Sequence, residues 1–360
     1  MQKVTAEISL QRLQHNARAF IQRTGKPICA VVKADAYGHG AVETVNALQG
    51  LAQCFAVSIL DEAIAIRVAS CGKEILIFTP PLTLQEAVVS VQNGFSVTVD
   101  SMRTARLVAK ATQITKKAVN VHLKCNTGMN RYGVDIRGLE RVCNYLKTCS
   151  FVQVKGLYSH LYTTDRQTSQ GQLQSFLQMR AFALRYYTGL TCHISATYGA
   201  LLGGAFVLDM TRIGLGLYGY LPSGVQVNGL QVKPCMRVYA DVSAVHVYQG
   251  GGAGYGTPKQ TLRVGDTLNV VRCGYADGVL RGDADGFFNT LCMDAHVRIG
   301  SKKVGEKVPV MVDADEIARR TGTVSYEVLC AVTRRAERKY TYGDFTVCRE
   351  HGNGRGGTKT

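Results

Sequence analysis

The sequence is poor in proline, with 7 in 360 residues, and its 38 glycines follow no G-X-Y period. Collagen-like and proline-rich linker architectures are therefore excluded. It lacks any run approaching the ~18 consecutive apolar residues of a membrane span. Its opening, Met1 to Glu7, is mixed and polar, and no short apolar core follows a basic start, so no secretory signal is expected. It also lacks a C-x-x-C pair: the 12 cysteines are scattered from Cys29 to Cys348. Reduced thiols in a cytoplasm are expected, with neither a disulfide framework nor a zinc site. Acidic residues are scarce, 26 against 42 Lys and Arg, for a net charge of +16. The basic residues are spread along the chain, and the densest cluster is only Arg334, Arg335, Arg338 and Lys339. That pattern reads as solvated surface with an attraction for small anions, and no nucleic-acid or membrane partner is expected.

With 46% hydrophobic and 19% charged residues the chain can bury a real core, and its length suits two domains. Short β-branched runs alternate with helical segments from Ile28 onward. Strands are expected at Ile28–Val32, Cys54–Ser58, Glu74–Phe78, Phe95–Val99, Val119–Lys124, Val152–Tyr158, Thr191–Ile194 and Met210–Leu215. Eight such units predict an α/β fold, a closed (β/α)8 TIM barrel, with an open doubly wound sheet as the runner-up. After Pro222 the texture changes to short alternating runs between Gly-rich turns, with one short helix at Asp315–Arg320. The expected division is a barrel over 1–222, a mostly β domain over 223–350 and a disordered tail over 351–360. The opening strand Val4–Ile8 is expected to pair with the β domain.

Chemistry in such a barrel sits at the C-terminal ends of its strands. Lys33 ends the first, Arg131 follows the fifth, His160 the sixth and Thr197 the seventh, and the eighth carries Arg212. A Lys at the end of a buried apolar strand has its pKa lowered by desolvation, which suits a carbonyl-linked amine. Gly214-Leu-Gly216-Leu-Tyr-Gly219 satisfies G-x-G-x-x-G, but it ends the eighth unit instead of opening a first βαβ unit, so a dinucleotide role is not expected. His39 and His193 read as structural.

The segment Ala30-Val31-Val32-Lys33-Ala34-Asp35-Ala36-Tyr37-Gly38-His39-Gly40 resembles the pyridoxal-phosphate attachment motif of alanine racemases. Thr127-Gly128-Met129-Asn130-Arg131-Tyr132-Gly133, Gly274-Tyr275-Ala276-Asp277-Gly278, Cys292-Met293-Asp294 and Ser325-Tyr326-Glu327-Val328 continue the resemblance along most of the chain. It implies a homodimer with shared active sites and pyridoxal 5'-phosphate as cofactor. Lys33 would carry the cofactor and act as one base, and Tyr255 of the other subunit as the opposite base. Arg212 would face the ring nitrogen, and His160 with Arg212 would tune the phenol. Arg131 would contact the cofactor phenolic oxygen and the substrate carboxylate. Tyr37, Thr197, Tyr326 and the backbone of Gly214 and Leu215 would hold the phosphate; Ser195 is nearby but out of register. Met293 and Asp294 would complete the substrate end from the partner, and Lys124 is a candidate for carbamylation, with Asn126 where the family often has Asp.

The implied function is interconversion of L-alanine and D-alanine, in the cytoplasm, supplying D-alanine for peptidoglycan. A serine or broad-specificity racemase is the first alternative, against which the Tyr326 ring argues by crowding. The segments between Asp277 and Cys292 and between Asp294 and Tyr326 are shorter than is usual in the family. They leave a second alternative, a non-catalytic cofactor-binding protein.

Overall fold

The structure is a computed structural model, and it describes residues 4–223, 225, 228–255, 262–281, 291–343 and 345. The expected tail 351–360 and the segment 282–290 lie outside the described residues.

Eight parallel strands form one sheet in the order β8-β7-β6-β5-β4-β3-β2-β9. They are β2 (Ile28–Val31), β3 (Ala52–Val57), β4 (Ile75–Ile77), β5 (Ser96–Val99), β6 (Val119–Lys124), β7 (Val152–Tyr158), β8 (Thr191–His193) and β9 (Thr211–Ile213). All eight coincide with the runs expected from sequence. Short β-branched segments buried on both faces are what a parallel sheet under helices requires. The seam between β8 and β9 is bridged by single hydrogen bonds, Asp209 N to Cys192 O at 3.1 Å and Arg212 N to Ser195 O at 2.9 Å. The result is a nearly closed barrel. Its helices are capped by side chains: Thr83, Ser101, Asp135 and Asp165 each accept a backbone N–H of the first turn. The helix Ile136–Lys147 buries Leu139, Val142, Cys143 and Leu146, the i, i+3, i+4, i+7 stripe of a helix lying on a sheet.

One helix was not expected. Leu10–Thr24 runs between the opening strand and β2, capped by Ser9, and buries Leu10, Leu13, Asn16, Ala17 and Phe20. The opening strand β1 (Val4–Ser9) lies outside the barrel, as expected. It pairs antiparallel with β10 (Met236–Val247) and parallel with β14 (Glu337–Thr341). β11 (Thr267–Val271), β12 (His296–Ile299) and β13 (Lys307–Met311) complete this second sheet. The expectation of one helix in this part is corrected. After Ala314–Thr321 comes a second, Ser325–Ala331, which packs Val328 and Leu329 into the core. The G-x-G-x-x-G segment forms a 3-10 turn, Leu215–Tyr218, closed by Gly219 at φ 94°, and opens no helix of a βαβ unit.

Asn16 joins the barrel to the segment leading into the second sheet. Its Nδ2 donates to Leu217 O and Lys233 O, both at 2.9 Å, and its Oδ1 accepts Lys233 N at 2.8 Å. The residue is fully buried, so truncation leaves backbone groups without partners. Asn16→Ala should cost about 2–4 kcal/mol in urea unfolding. A change under 0.5 kcal/mol, the usual span of a surface substitution, would show that these bonds do not join the two parts.

Candidate active site

A cavity of about 810 Å³ opens at the C-terminal ends of the barrel strands. Lys33, Tyr37, Lys124, Arg131, His160 and Arg212 line it, together with Thr197, Gly214, Leu215 and Tyr326. Among the described residues no Asp or Glu lines it. The sequence therefore concentrates cationic and hydroxyl groups at one rim and leaves their charge for a ligand to balance.

Lys33 begins a turn of unusual hand. Ala34, Asp35, Ala36 and Tyr37 have φ of 51°, 51°, 55° and 53°. Four consecutive side-chain-bearing residues in the left-handed region cost about 1 kcal/mol or more each, so the surroundings must over-determine them. Ala34 N donates to Glu62 Oε1 at 2.7 Å, and Asp35 Oδ1 accepts Ala41 N at 2.7 Å. Arg338, on β14, pairs with Asp35 Oδ2 at 2.6 Å and donates to Gly38 O at 2.9 Å. Gly38, at φ 83°, lies so close to Leu329 O and Thr333 that any side chain there would collide. His39 is structural, as expected: it is buried, with Nδ1 against Ala36 O and Tyr37 O, both at 3.1 Å.

The turn delivers Lys33 into the cavity and sends Tyr37 across it. Burial lowers the Lys33 amine below the ordinary lysine value, and the Arg131 charge lowers it further. A larger neutral fraction suits attack on a carbonyl. The Tyr37 ring meets Tyr326 at 5.7 Å and Tyr218 at 4.8 Å. A Cβ on Gly214 would come within 2.6 Å of the Tyr37 hydroxyl, so the bare backbone there is what lets this hydroxyl reach the cradle. Thr197 Oγ1 accepts Gly216 N at 3.2 Å beside it. Ser195 is spent elsewhere, donating to Phe206 O at 2.7 Å.

Arg212 is buried in the barrel mouth. It donates to the carbonyls of Ser159 (2.7 Å), Ile194 (2.9 Å) and His193 (3.0 Å), to His193 Nδ1 (2.6 Å) and to His160 Nδ1 (3.3 Å). Burial brings its pKa down to about 10, so it stays charged at neutral pH. His193, read from sequence as merely structural, is thus a direct partner of a cavity residue. Burial, then Arg212, Lys124, Arg131 and Lys33, hold His160 well below the usual histidine range. Lys124 is buried, with its ammonium 4.5 Å from the Tyr158 ring centre, and burial and then Arg212 press its pKa far down. Arg131 sits on a loop tied by Asn126, whose Oδ1 accepts Gly128 N and Asn130 N at 3.1 Å each. The acceptor that an Asp would supply there is present.

Tyr255, Met293 and Asp294 do not line this cavity. Tyr255 follows a turn through Gly250, Gly251 and Gly254, all at positive φ, and is 73% exposed. Met293 is 60% exposed. Its carbonyl accepts Ala276 N at 2.9 Å, and Arg335 links Asp294 (3.0 Å) to buried Asp277 (3.5 Å). These three residues are exposed on connections between strands of the second sheet.

A barrel mouth that gathers a lysine of lowered pKa, hydroxyl and backbone amide groups and two guanidinium groups is the donor set of an enzyme site suited to an anionic carbonyl compound. The alanine racemase N-terminal domain family matches residues 8–222, and the alanine racemase C-terminal domain family matches residues 235–340. The alanine racemase of Desulfovibrio desulfuricans is 33% identical over 94% of this chain and 98% of its own length. That of Clostridium kluyveri is 31% identical over 96% and 95%. Among solved structures, the alanine racemase of Clostridium difficile 630 superposes with a TM-score of 0.87 at 27% identity, over 94% of this chain and 96% of that one. The chain belongs to the alanine racemase family, and it is an amino-acid racemase.

Two buried histidines outside the cavity make the fold acid-sensitive. Burial lowers His39 and His296 to about 4. Below the unfolded value of ~6.5 the unfolded chain takes up protons that the folded chain refuses, so stability falls as pH drops. Each group should contribute a slope of about 1.4 kcal/mol per pH unit between roughly 6.5 and 4. His39→Asn should flatten urea stability against pH by about one such slope. An unchanged slope would place the acid sensitivity elsewhere.

Proposed function

We propose that this chain catalyses the alanine racemase reaction, interconverting L-alanine and D-alanine on pyridoxal 5'-phosphate in a cytoplasmic homodimer. The product would serve peptidoglycan synthesis. The observation that carries the reading is the cavity in which Lys33, Tyr37, Arg131, Thr197, Arg212 and Tyr326 converge, with no carboxylate among its described lining residues. The donor set suits the cofactor: an amine with lowered pKa for its aldehyde, and a cradle at Gly214 that any side chain would close. We assign the barrel to 1–222 and the β domain to 223–350, with residues 1–8 joining the latter's sheet.

When bound, the cofactor supplies an electron-withdrawing ring that stabilises negative charge at the substrate α-carbon. The chain's own groups do the rest. Lys33 Nζ holds the cofactor and exchanges a proton on one face of the α-carbon. Tyr255 Oη of the partner subunit exchanges it on the other, since racemisation needs a base on each side. Arg212 is the cation that favours the phenolate; His160, held neutral by burial and by Arg212, accepts from its guanidinium at 3.3 Å and orients it. Arg131 pairs with the substrate carboxylate and the phenolic oxygen. Tyr37, Thr197, Tyr326 and the amides of Gly214 and Leu215 hold the phosphate as neutral donors. Arg212 would stand at the ring nitrogen as a pure N–H donor that cannot accept a proton, which would favour simple proton return. The backbone of Met293, with Asp294 beside it, closes the substrate end from the partner. The outward exposure of Tyr255 and Met293 supports this sharing. The Tyr326 ring narrows the cavity in favour of the alanine methyl over larger side chains.

Lys124 fits carbamylation. A buried amine with lowered pKa offers the neutral form that captures carbon dioxide, and the resulting anion would neutralise its neighbours Arg131 and Arg212. The carbamate should appear as a carbonyl resonance after exposure to ¹³C-bicarbonate, and Lys124→Ala should abolish it. A wild-type protein without that resonance leaves Lys124 a plain amine.

Tyr255→Phe should lower racemisation of L-alanine by about 10²–10⁴-fold while leaving the cofactor bound. Undiminished activity would discard the two-base assignment. Mixing Lys33→Ala with Tyr255→Phe chains tests sharing directly. Each hybrid dimer would own one intact site, so random exchange should restore about a quarter of wild-type activity, and no recovery would mean that each site is built from one chain.

A further inference from the structure

Three side chains that the proposed reaction does not use form a file through the barrel interior. Arg212 Nη1 meets His193 Nδ1 at 2.6 Å, His193 Nε2 meets His122 Nδ1 at 3.0 Å, and His122 Nε2 meets Glu74 Oε1 at 3.1 Å. His193 and His122 are buried, while the Glu74 side chain keeps 35% exposure where β4 begins, at the end of the barrel opposite Lys33. The file therefore spans the barrel from solvent at its floor to the cavity at its mouth.

Its polarity is fixed by the ends. A guanidinium has only N–H donors, so His193 Nδ1 accepts. His193 then carries its proton on Nε2 and donates to His122 Nδ1, and His122 carries its own on Nε2 and donates to Glu74. Both rings are neutral in this arrangement. Burial, then Arg212 and His122, hold His193 well below the usual histidine range. Burial alone would raise the Glu74 carboxyl, but donation from His122 and Ser96 brings it below the ordinary value, so it is ionised. Ser96 Oγ donates to the same Oε1 at 2.5 Å, and the Lys155 charge also acts on Glu74.

The file is built into the barrel. A side chain on Gly156 would run into the His122 ring, and the pairing of β6 with β7 shifts register between Val121 and His122. The Tyr158 ring stacks on His193 at 5.0 Å and 7°, and its hydroxyl is fixed by Thr98 at 2.8 Å. Among the described residues no carboxylate touches Arg212, whose other hydrogen bonds end on carbonyls and His160.

We propose that Glu74 is the remote counter-carboxylate of Arg212, a positioning residue that acts on the cofactor ring through His122 and His193. In a one-way chain of hydrogen bonds each bond polarises the next. The Glu74 charge draws the His122 proton, makes His122 Nδ1 and then His193 Nδ1 stronger acceptors, and holds the Arg212 N–H back from the ring nitrogen. The proposal rests on the reading that Arg212 faces that nitrogen.

The test is Glu74→Gln in the holoenzyme, which keeps an acceptor oxygen and removes the charge. Imidazole ¹⁵N–¹H spectra should show both histidines as Nε2–H tautomers in the wild type. In Glu74→Gln the His122 Nε2 proton should move upfield. The pH midpoint of the bound cofactor's absorbance change should fall by about half a unit, because a lost anion no longer favours the protonated form at that distance in a medium of intermediate dielectric. Ser96→Ala leaves Oε1 to His122 alone and should move the same proton downfield; it serves also if Glu74→Gln folds poorly. Histidine resonances that stay put in either variant overturn the proposal. So does an unmoved absorbance midpoint in Glu74→Gln, and Arg212→Lys then locates the fault: a changed cofactor band faults the relay, an unchanged one the placement of Arg212 at the ring.

Discussion

The left-handed turn from Ala34 to Tyr37 is the constraint on which the rest of the molecule depends. It points Lys33 and Tyr37 into one cavity, and it does not hold itself. Its amide at Ala34 is bound by Glu62 from the helix Leu60–Ile66. Its carboxylate at Asp35 is bound by Arg338 from β14, and Gly38 is wedged against the helix Ser325–Ala331 at Leu329. A strain of several kcal/mol has to be met by contacts from both parts of the fold. The barrel alone lacks Arg338 and Leu329. The parallel pairing of β1 with β14 puts Arg338 at the barrel mouth, so a chain that begins in one sheet and continues in the other couples the second sheet to the geometry of Lys33.

The second constraint is electrostatic. Lys33, Lys124, Arg131, His160 and Arg212 share one cavity, and among the described residues no carboxylate lines it. Burial first, and the neighbouring positive charges after it, lower the pKa values of Lys33, Lys124 and His160. Crowding cations together is a cost that an anionic ligand would relieve. Binding energy is thus stored as unbalanced charge, a form of preorganisation that needs no motion when a ligand arrives.

Much of this was legible in the sequence. The alternation of β-branched strands and capped helices gave the eight barrel strands within a residue or two, because burial on both faces leaves a continuous apolar run. Reading the residue after each strand found Lys33, Arg131, His160, Thr197 and Arg212. The helix Leu10–Thr24 escaped because it precedes the first barrel strand and so falls outside an alternation that starts with a strand, although Ser9 and the Leu10, Leu13, Ala17, Phe20 spacing mark it. The helix Ser325–Ala331 is only seven residues long and follows a β-branched Val324, a weak signal on either count. The file from Arg212 to Glu74 links residues 19, 71 and 48 positions apart. Nothing local to any of them announces a partner, and His193 read as core because, by burial alone, it is.

That last case exposes what the barrel interior is for. A barrel of this size is ordinarily filled by layers of branched apolar side chains. Here Thr98, His122, Tyr158, His193 and Arg212 occupy the interior between β5 and β9 and are joined to one another by hydrogen bonds and stacking. Each such group costs stability when buried unless its partners are complete. The pieces are complete only together: Glu74 takes the His122 proton at one end, Arg212 fills the His193 Nδ1 acceptor at the other, and the two imidazoles have defined tautomers only because the ends differ in what they can donate. A network satisfied as a unit is rigid as a unit. Apolar clusters are built on β2, β3 and β4 and on β5, β6 and β7 alike, so the polar file runs through a barrel that is packed on both sides, toward the site where chemistry needs a fixed, well-oriented guanidinium.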